Sequence, residues 1–382
     1  MRIKLTKHLW SLIITNDLYM QQLEFGEQIM SLSRRGLLAA SPLLLAPSAL
    51  TRAAELKSDQ SYEFEELTEK SERAVRKGTE WLMKTMHRDG GCGVDIGQPN
   101  DIGCTAMVGL SLMSQGNTPV EGQYADRIRR IVQFMLRQVD SMPQDDITSQ
   151  AQTQLQNKIG RHAHSFFATL FMSQVLGEGN DPELVRPALK KVVKAVVGSQ
   201  TPQGNWKGQS WAPTLGTVMG WVSLRAADFA GISVGGAPAK VADHLISQMK
   251  QQLGKVRGSW MHTLYKNATG IRVLYAMKRD KEDIAVKAFK DVRQLISKDN
   301  TAFTQAGGEE YLAFHLITET MLQKGGEDWK SWFPVLRDKI VSVQNSDGSW
   351  AGAHCITSRT FCTAAACLVL TSPYRYLPIS QP

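Results

Sequence analysis

The densest run of reactive side chains in this 382-residue chain is His354-Cys355-Ile356-Thr357-Ser358-Arg359-Thr360-Phe361-Cys362. Zinc takes Cys, His and carboxylate in tetrahedral sets. Cys104, His354, Cys355 and Cys362 would supply four ligands if the fold brings residue 104 to this run, although the spacing matches no standard finger. The same thiols suit a disulfide in an oxidising compartment, or service as small core residues. The sequence leaves these three readings open. Five cysteines leave at least one unpaired, and Cys367, deep in an apolar stretch, fits that place.

Two further stretches carry acid–base groups. His162 and His164 stand one residue apart at a loop-to-helix junction, placed for metal or general-base use or for capping. Glu309-Glu310-Tyr311 opens a helix, where carboxylates favour the positive dipole end. In an apolar cavity burial would instead raise a carboxyl pKa and make one Glu a general acid or base. Arg359 would pair with these acids or hold an anionic ligand group. His162, His164, Glu309, Glu310, Tyr311 and Arg359 are therefore the candidate catalytic residues. Asp101, Trp211, Thr214, His262 and Tyr265 occupy similar loop or first-turn positions.

The elements that position these groups repeat. From Ser71 onward, helical periodicity alternates with short Gly-rich loops, and alternating strand patterns are scarce. The clearest unit runs from Leu336 to Gln344, through Asn345-Ser346-Asp347-Gly348-Ser349-Trp350, into a small-residue helix over Thr357 to Leu370. The same layout recurs as Leu189 to Gln200, Thr201-Pro202-Gln203-Gly204-Asn205-Trp206, then Thr214 to Ala227. Weaker copies centre on Cys92, Gly160, Trp260 and Gly308, so six units recur about every 40 to 55 residues, with one insertion around Met142 to Gln156. First helices carry charge on one face only, as an outer layer requires. Second helices are rich in Ala, Gly, Ser and Thr, as a crowded inner layer requires. Both terminal units are as apolar as the middle ones, which favours a closed ring over an open array needing polar caps. Ring closure would set Cys104 near Cys355 or Cys362.

Apolar content of 42%, charged content of 21% and a net charge of +8 are ordinary for a globular protein. The charge is spread along the chain without aromatic interleaving, which argues against nucleic acid as a partner. Ser33-Arg34-Arg35-Gly36-Leu37-Leu38 opens an apolar run that ends in small residues, with candidate cleavage sites near Ala49 and Ala54. Paired arginines before such a run point to twin-arginine export and a periplasmic or extracellular destination. The run spans about 15 residues and contains Pro42 and Pro47, whereas a spanning helix needs about 20 apolar residues. No membrane span is expected once residues 1–54 are removed, and residues 55–382 form the expected folded domain. Met30, just ahead of the signal, is an alternative start.

Gln344…Gly348-Ser349-Trp350 and Gln200…Gly204-Asn205-Trp206 resemble the QW-type repeat of squalene–hopene cyclases. That repeat belongs to the prenyltransferase/squalene-oxidase repeat superfamily, which includes protein prenyltransferase β subunits. The resemblance covers roughly residues 70–375 and implies an all-α fold, an α6–α6 barrel or α/α toroid. In that family the Gln and Trp are scaffold. The resemblance also implies a central cavity for an apolar, isoprenoid-like small molecule or lipid. The cyclase Asp-x-Asp-Asp acid is missing here, as is the prenyltransferase Asp-x-Cys zinc pair. Gly91-Cys92-Gly93-Val94-Asp95 lacks the Glu and Gln that a complement-type thioester needs. Three readings stand: an isoprenoid enzyme, a non-catalytic binding or structural toroid, and a carbohydrate-active toroid of the polysaccharide-lyase kind.

Overall fold

The computed structural model describes residues 66–143, 147, 153–176, 178, 182–208, 210–252, 264–265, 269–298 and 301–380. The twin-arginine segment, Trp260 and His262 lie outside the described residues. Thirteen α-helices are described: α1 Glu69–Leu82, α2 Ile102–Met113, α3 Ala125–Asp140, α4 Gln154–Ile159, α5 Ala163–Val175, α6 Pro182–Gly198, α7 Pro213–Phe229, α8 Ala237–Gln252, α9 Gly270–Ala276, α10 Asp283–Lys298, α11 Gly308–Lys324, α12 Gly326–Ser342 and α13 Arg359–Thr371. Among the described residues no helix is long and apolar enough to cross a membrane.

Six helices close a ring: α2 packs on α5, α5 on α7, α7 on α9, α9 on α11, α11 on α13, and α13 back on α2. The other long helices, α1, α3, α6, α8, α10 and α12, each precede an inner helix, giving six hairpins and an α6–α6 barrel. Burial follows the expected division of labour. Every residue of α2 and α5 is buried. The outer α3 buries one stripe, Ile128, Ile131, Phe134, Met135 and Val139, at helical spacing.

The Gly-rich loops tie each hairpin to the next. Gln344 Nε2 donates to Gly348 O and to Ala74 O on α1, both at 2.8 Å, which stitches the last unit to the first. Gln200 Nε2 donates to Gly204 O and to Ala237 O at the start of α8, both at 3.0 Å. Trp350 and Trp206 donate through Nε1 to Ile340 O and Val196 O at 2.8 Å. Gly348 (φ +94°) and Gly204 (φ +95°) are obligatory on two counts. Their φ disfavours any L side chain, and a Cβ would lie 2.6 Å from Lys77 O and 2.2 Å from Lys240 O. Gly90 repeats this geometry against Arg130 O on α3, and the Met86–Cys92 bridge matches that of Gln200–Trp206. Cys92 thus holds a scaffold tryptophan's place.

Both ends of the ring are covered. The short helix α4 crosses the end where the inner helices begin. Its Leu155 lies over Gly103 of α2, and its Ile159 carbonyl lies against Gly216 of α7. Thr153, which caps it, meets His164 of α5, and Gln154 donates to Thr357 just before α13 at 2.9 Å. At the other end the chain terminus folds inward. Ile379 N–H donates to Gln174 Oε1 at 3.1 Å, and Ser380 Oγ donates to Glu319 Oε1 at 2.9 Å. Between these covers Met107, Leu110, Met219, Leu312 and Leu368 leave a cavity of about 20 Å³, room for about one water.

Candidate acid–base site

Four of the predicted residues meet where α4 crosses the ring. The first turn of α11 carries Glu309 and Glu310, both fully buried. The loop before α13 brings His354 and Cys355. His354 Nδ1 lies 3.2 Å from Glu309 Oε1, and its Nε2 lies 3.6 Å from Glu310 Oε2. With a side chain 36% exposed, His354 joins the buried acids to solvent. Cys355 sits at φ +48°, a left-handed conformation that disfavours an L side chain.

The charge at the centre comes from a residue that sequence reasoning missed. Lys158 on α4 is 3% exposed, and its Nζ lies 2.8 Å from Glu309 Oε1 and 3.4 Å from Cys355 Sγ. The ammonium also stands 4.3 Å above the Tyr265 ring. Burial works against its charge, but the hydrogen bond and charge of Glu309 more than offset this, raising its pKa above the ordinary lysine value. Lys158 was hidden because it lies in a six-residue helix between the insertion and the Gly160 loop, where no repeat pattern marks a reactive position. The signal available was the Thr153-x-x-Gln156 capping box, in which Gln156 Oε1 accepts from Thr153 N–H at 3.1 Å.

The two carboxylates are thereby made unequal. Glu309 has the Lys158 ammonium and the Ile356 N–H at 3.2 Å. Glu310 accepts from Gly307 N–H at 2.7 Å, while its Oε1 has no hydrogen-bond partner among the described residues. Burial first, then the charge on Glu309, push the Glu310 pKa from 4.5 up to about 8. The arrangement holds one anion and one neutral carboxylic acid side by side, with an imidazole bridging them.

The remaining predicted residues go elsewhere. Tyr311 is buried edge-on against Phe314, and burial raises its pKa. Arg359 does not reach the glutamates. It bonds Asp347, donates to Ser349 Oγ at 2.6 Å and covers the Trp81 ring, so it pins a scaffold loop. His164 meets Thr153 Oγ1 at 3.2 Å and Asp101 Oδ2 at 3.5 Å. Burial alone would raise the Asp101 pKa, but His164 and then the Cys104 N–H hold it below the usual value. His162 occupies the N-cap position of α5 without a side-chain capping bond and faces Phe166 at 6.3 Å, so the two histidines serve different neighbours.

Of the four predicted metal ligands, only His354 and Cys355 fall in a gathered ligand group among the described residues. All five cysteines are free thiols, which also removes the disulfide. Ring closure does bring α2 to the α13 segment, yet Cys104 Sγ meets Ser358 Oγ at 3.3 Å rather than a thiol. Cys362, one turn into α13, points at Ile356 O, and burial raises both thiol pKa values well above normal. Glu309, His354 and Cys355 do present ligand atoms within 4.8 Å of one another. The donor types suit zinc, but the Lys158 ammonium stands between Glu309 and Cys355, so a metal does not fit while that lysine is charged.

No protein-family model matches the sequence, and no curated protein matches it. Among solved structures, the chain is similar to the apo form of the type II terpene cyclase MstE from Scytonema. The identity is 12%, the match covers 81% of this chain and 99% of that one, and the TM-score is 0.48. Such a distant likeness carries nothing about what this chain acts on; the helical ring stands on its own packing.

Proposed function

We propose that the protein is an exported toroid that takes an apolar, isoprenoid-like molecule and carries out proton transfer on it at Glu310. The observation that supports this is the unequal pair: Glu310 is kept neutral near pH 7 first by its burial and then by the charge on Glu309, whose carboxylate pairs with Lys158. A buried neutral carboxylic acid is a proton donor toward an apolar acceptor such as an alkene, and His354 is placed to return the proton from solvent. The lumen side chains Leu110, Met219, Leu312 and Leu368 are of the type that lines an apolar ligand. Incubating the mature protein with geranylgeraniol or squalene in D2O tests the reading. Carbon-bound deuterium in recovered isoprenoid, lost in Glu310→Gln, is the expected result; no incorporation and no binding of either would overturn it. Export is tested by Arg34→Lys/Arg35→Lys, which should hold a precursor in the cytoplasm.

A second reading rests on the cavity of about 20 Å³, too small for any isoprenoid without movement. A toroid that is permanently filled is a binding or structural module. Failure of every isoprenoid to bind, with the stability effects described below intact, would select it.

A further inference from the structure

The C-terminal end of the ring has a feature unrelated to the acid pair. Arg272, on α9, is 3% exposed yet lines an open pocket of about 350 Å³ together with Trp221, Arg225, Tyr275, Lys278 and Gln323. A guanidinium carries five donors. Among the described residues, those of Arg272 reach Gln323 Oε1 at 3.0 Å and Ile379 O at 3.1 Å, both neutral acceptors. Three cations therefore line one pocket, against the single rim carboxylate Asp280, while the buried Glu319 carboxylate acts on Arg272 from the lumen side. Arg225 also has Asp228 at 3.6 Å and lies over Phe229.

The pocket and the lumen meet at the segment 377–380. Arg272 and Ile379 line both spaces. On the lumen side Leu377 and Ile379 provide apolar side chains, while His315 Nδ1 and Glu319 Oε2 are buried without hydrogen-bond partners among the described residues. The segment thus presents a carbonyl oxygen to a buried guanidinium and branched hydrocarbon to the lumen. An amphiphile presents the same two parts.

We propose that the Arg272 pocket binds the anionic head of a long-chain amphiphile, whose tail enters the lumen in place of Leu377 and Ile379. This rests on the apolar-ligand reading above and adds to it a head-group chemistry, carboxylate or phosphate, and a door. Guanidinium recognises both anions through paired N–H donors. Residues 377–380 are held by a few hydrogen bonds, through Ile379 and Ser380.

The experiment is titration of the mature protein with dodecanoate, dodecyl phosphate and neutral dodecanol, followed by calorimetry. It compares the full chain, a chain ending at Tyr376, the milder Leu377→Ala/Ile379→Ala variant, and Arg272→Gln. The truncated or double-alanine chain should bind the anionic amphiphiles at least tenfold more tightly than the full chain. Arg272→Gln should lose at least tenfold for the anions and leave dodecanol unchanged. The stronger of the two anions identifies the head group. Equal binding of dodecanol and both anions would overturn the head-group site while leaving an apolar lumen standing. No binding of any probe to either opened chain, each folded by circular dichroism, would overturn the lumen reading and this proposal with it.

Discussion

Replacing Lys158 by Met is the sharpest test of how the acid pair is built. The change keeps the aliphatic stem that crosses the ring and deletes an ammonium 2.8 Å from Glu309 Oε1. Glu309 then keeps the Ile356 N–H and the His354 imidazole, each at 3.2 Å, but loses the only buried cation beside it among the described residues. Removing one member of a buried ion pair strands the other and costs about 3–5 kcal/mol. With a urea m-value of about 3 kcal/mol/M, the midpoint should fall by roughly 1 M or more at pH 7. One further change relieves the stranded charge. Adding Glu309→Gln removes the charge itself, so the double variant should be more stable than Lys158→Met alone. Equilibrium urea unfolding of the four proteins forms a double-mutant cycle, with an expected coupling above about 2 kcal/mol. A single variant that costs under about 1 kcal/mol, or a double variant as damaged as the sum of its parts, would refute the picture of an anion held by Lys158.

Other outcomes follow from the same coordinates. Because the folded Glu310 pKa is raised, its contribution to stability is complete below about pH 4.5 and is lost as pH rises through about 8. The urea midpoint should therefore decline between pH 5 and 8.5, and Glu310→Gln should flatten that decline; an unchanged slope would remove Glu310 as its source. Since the cysteines are free, neither dithiothreitol nor EDTA should move the Tm, and a shift by either would reinstate a disulfide or a metal. In Lys158→Met, micromolar zinc should instead raise the Tm, because the space among Glu309, His354 and Cys355 is released; no zinc effect would show that the trio is not a ligand set. Gln344→Ala should cost roughly 2 kcal/mol in urea unfolding, for two hydrogen bonds lost at the seam between last and first hairpins, and a loss under about 0.5 would mean the seam does not depend on it.

The sequence by itself determined the ring. The small-residue helices expected over Thr357 to Leu370 and Thr214 to Ala227 are found as Arg359–Thr371 and Pro213–Phe229. The other inner helices start or end within a few residues of the periodic pattern. The outer ones begin earlier than it suggested: α6 starts at Pro182 and α12 at Gly326, since Pro187 and Pro334 interrupt the apolar rhythm without ending the helices. The loop chemistry was also local, because a Gly at φ near +90° and a Gln bonding four residues on need nothing distant. What the reactive residues do was decided only by the tertiary structure. Glu309, Glu310, His354 and Cys355 were each visible as candidates, but Arg359 looked equally good and turned out to grip Asp347 and Trp81. Lys158, just past the insertion and marked by no repeat, pairs with Glu309 and so makes the two glutamates unequal. The small lumen cavity is likewise lined by Leu377 and Ile379, which fold back across the ring. A helix and its turn are set by interactions within a few residues of one another, and these leave a trace in sequence spacing. A buried charge takes its value from whichever groups the fold brings within a few ångströms, and here those groups lie some 150 residues apart in the chain.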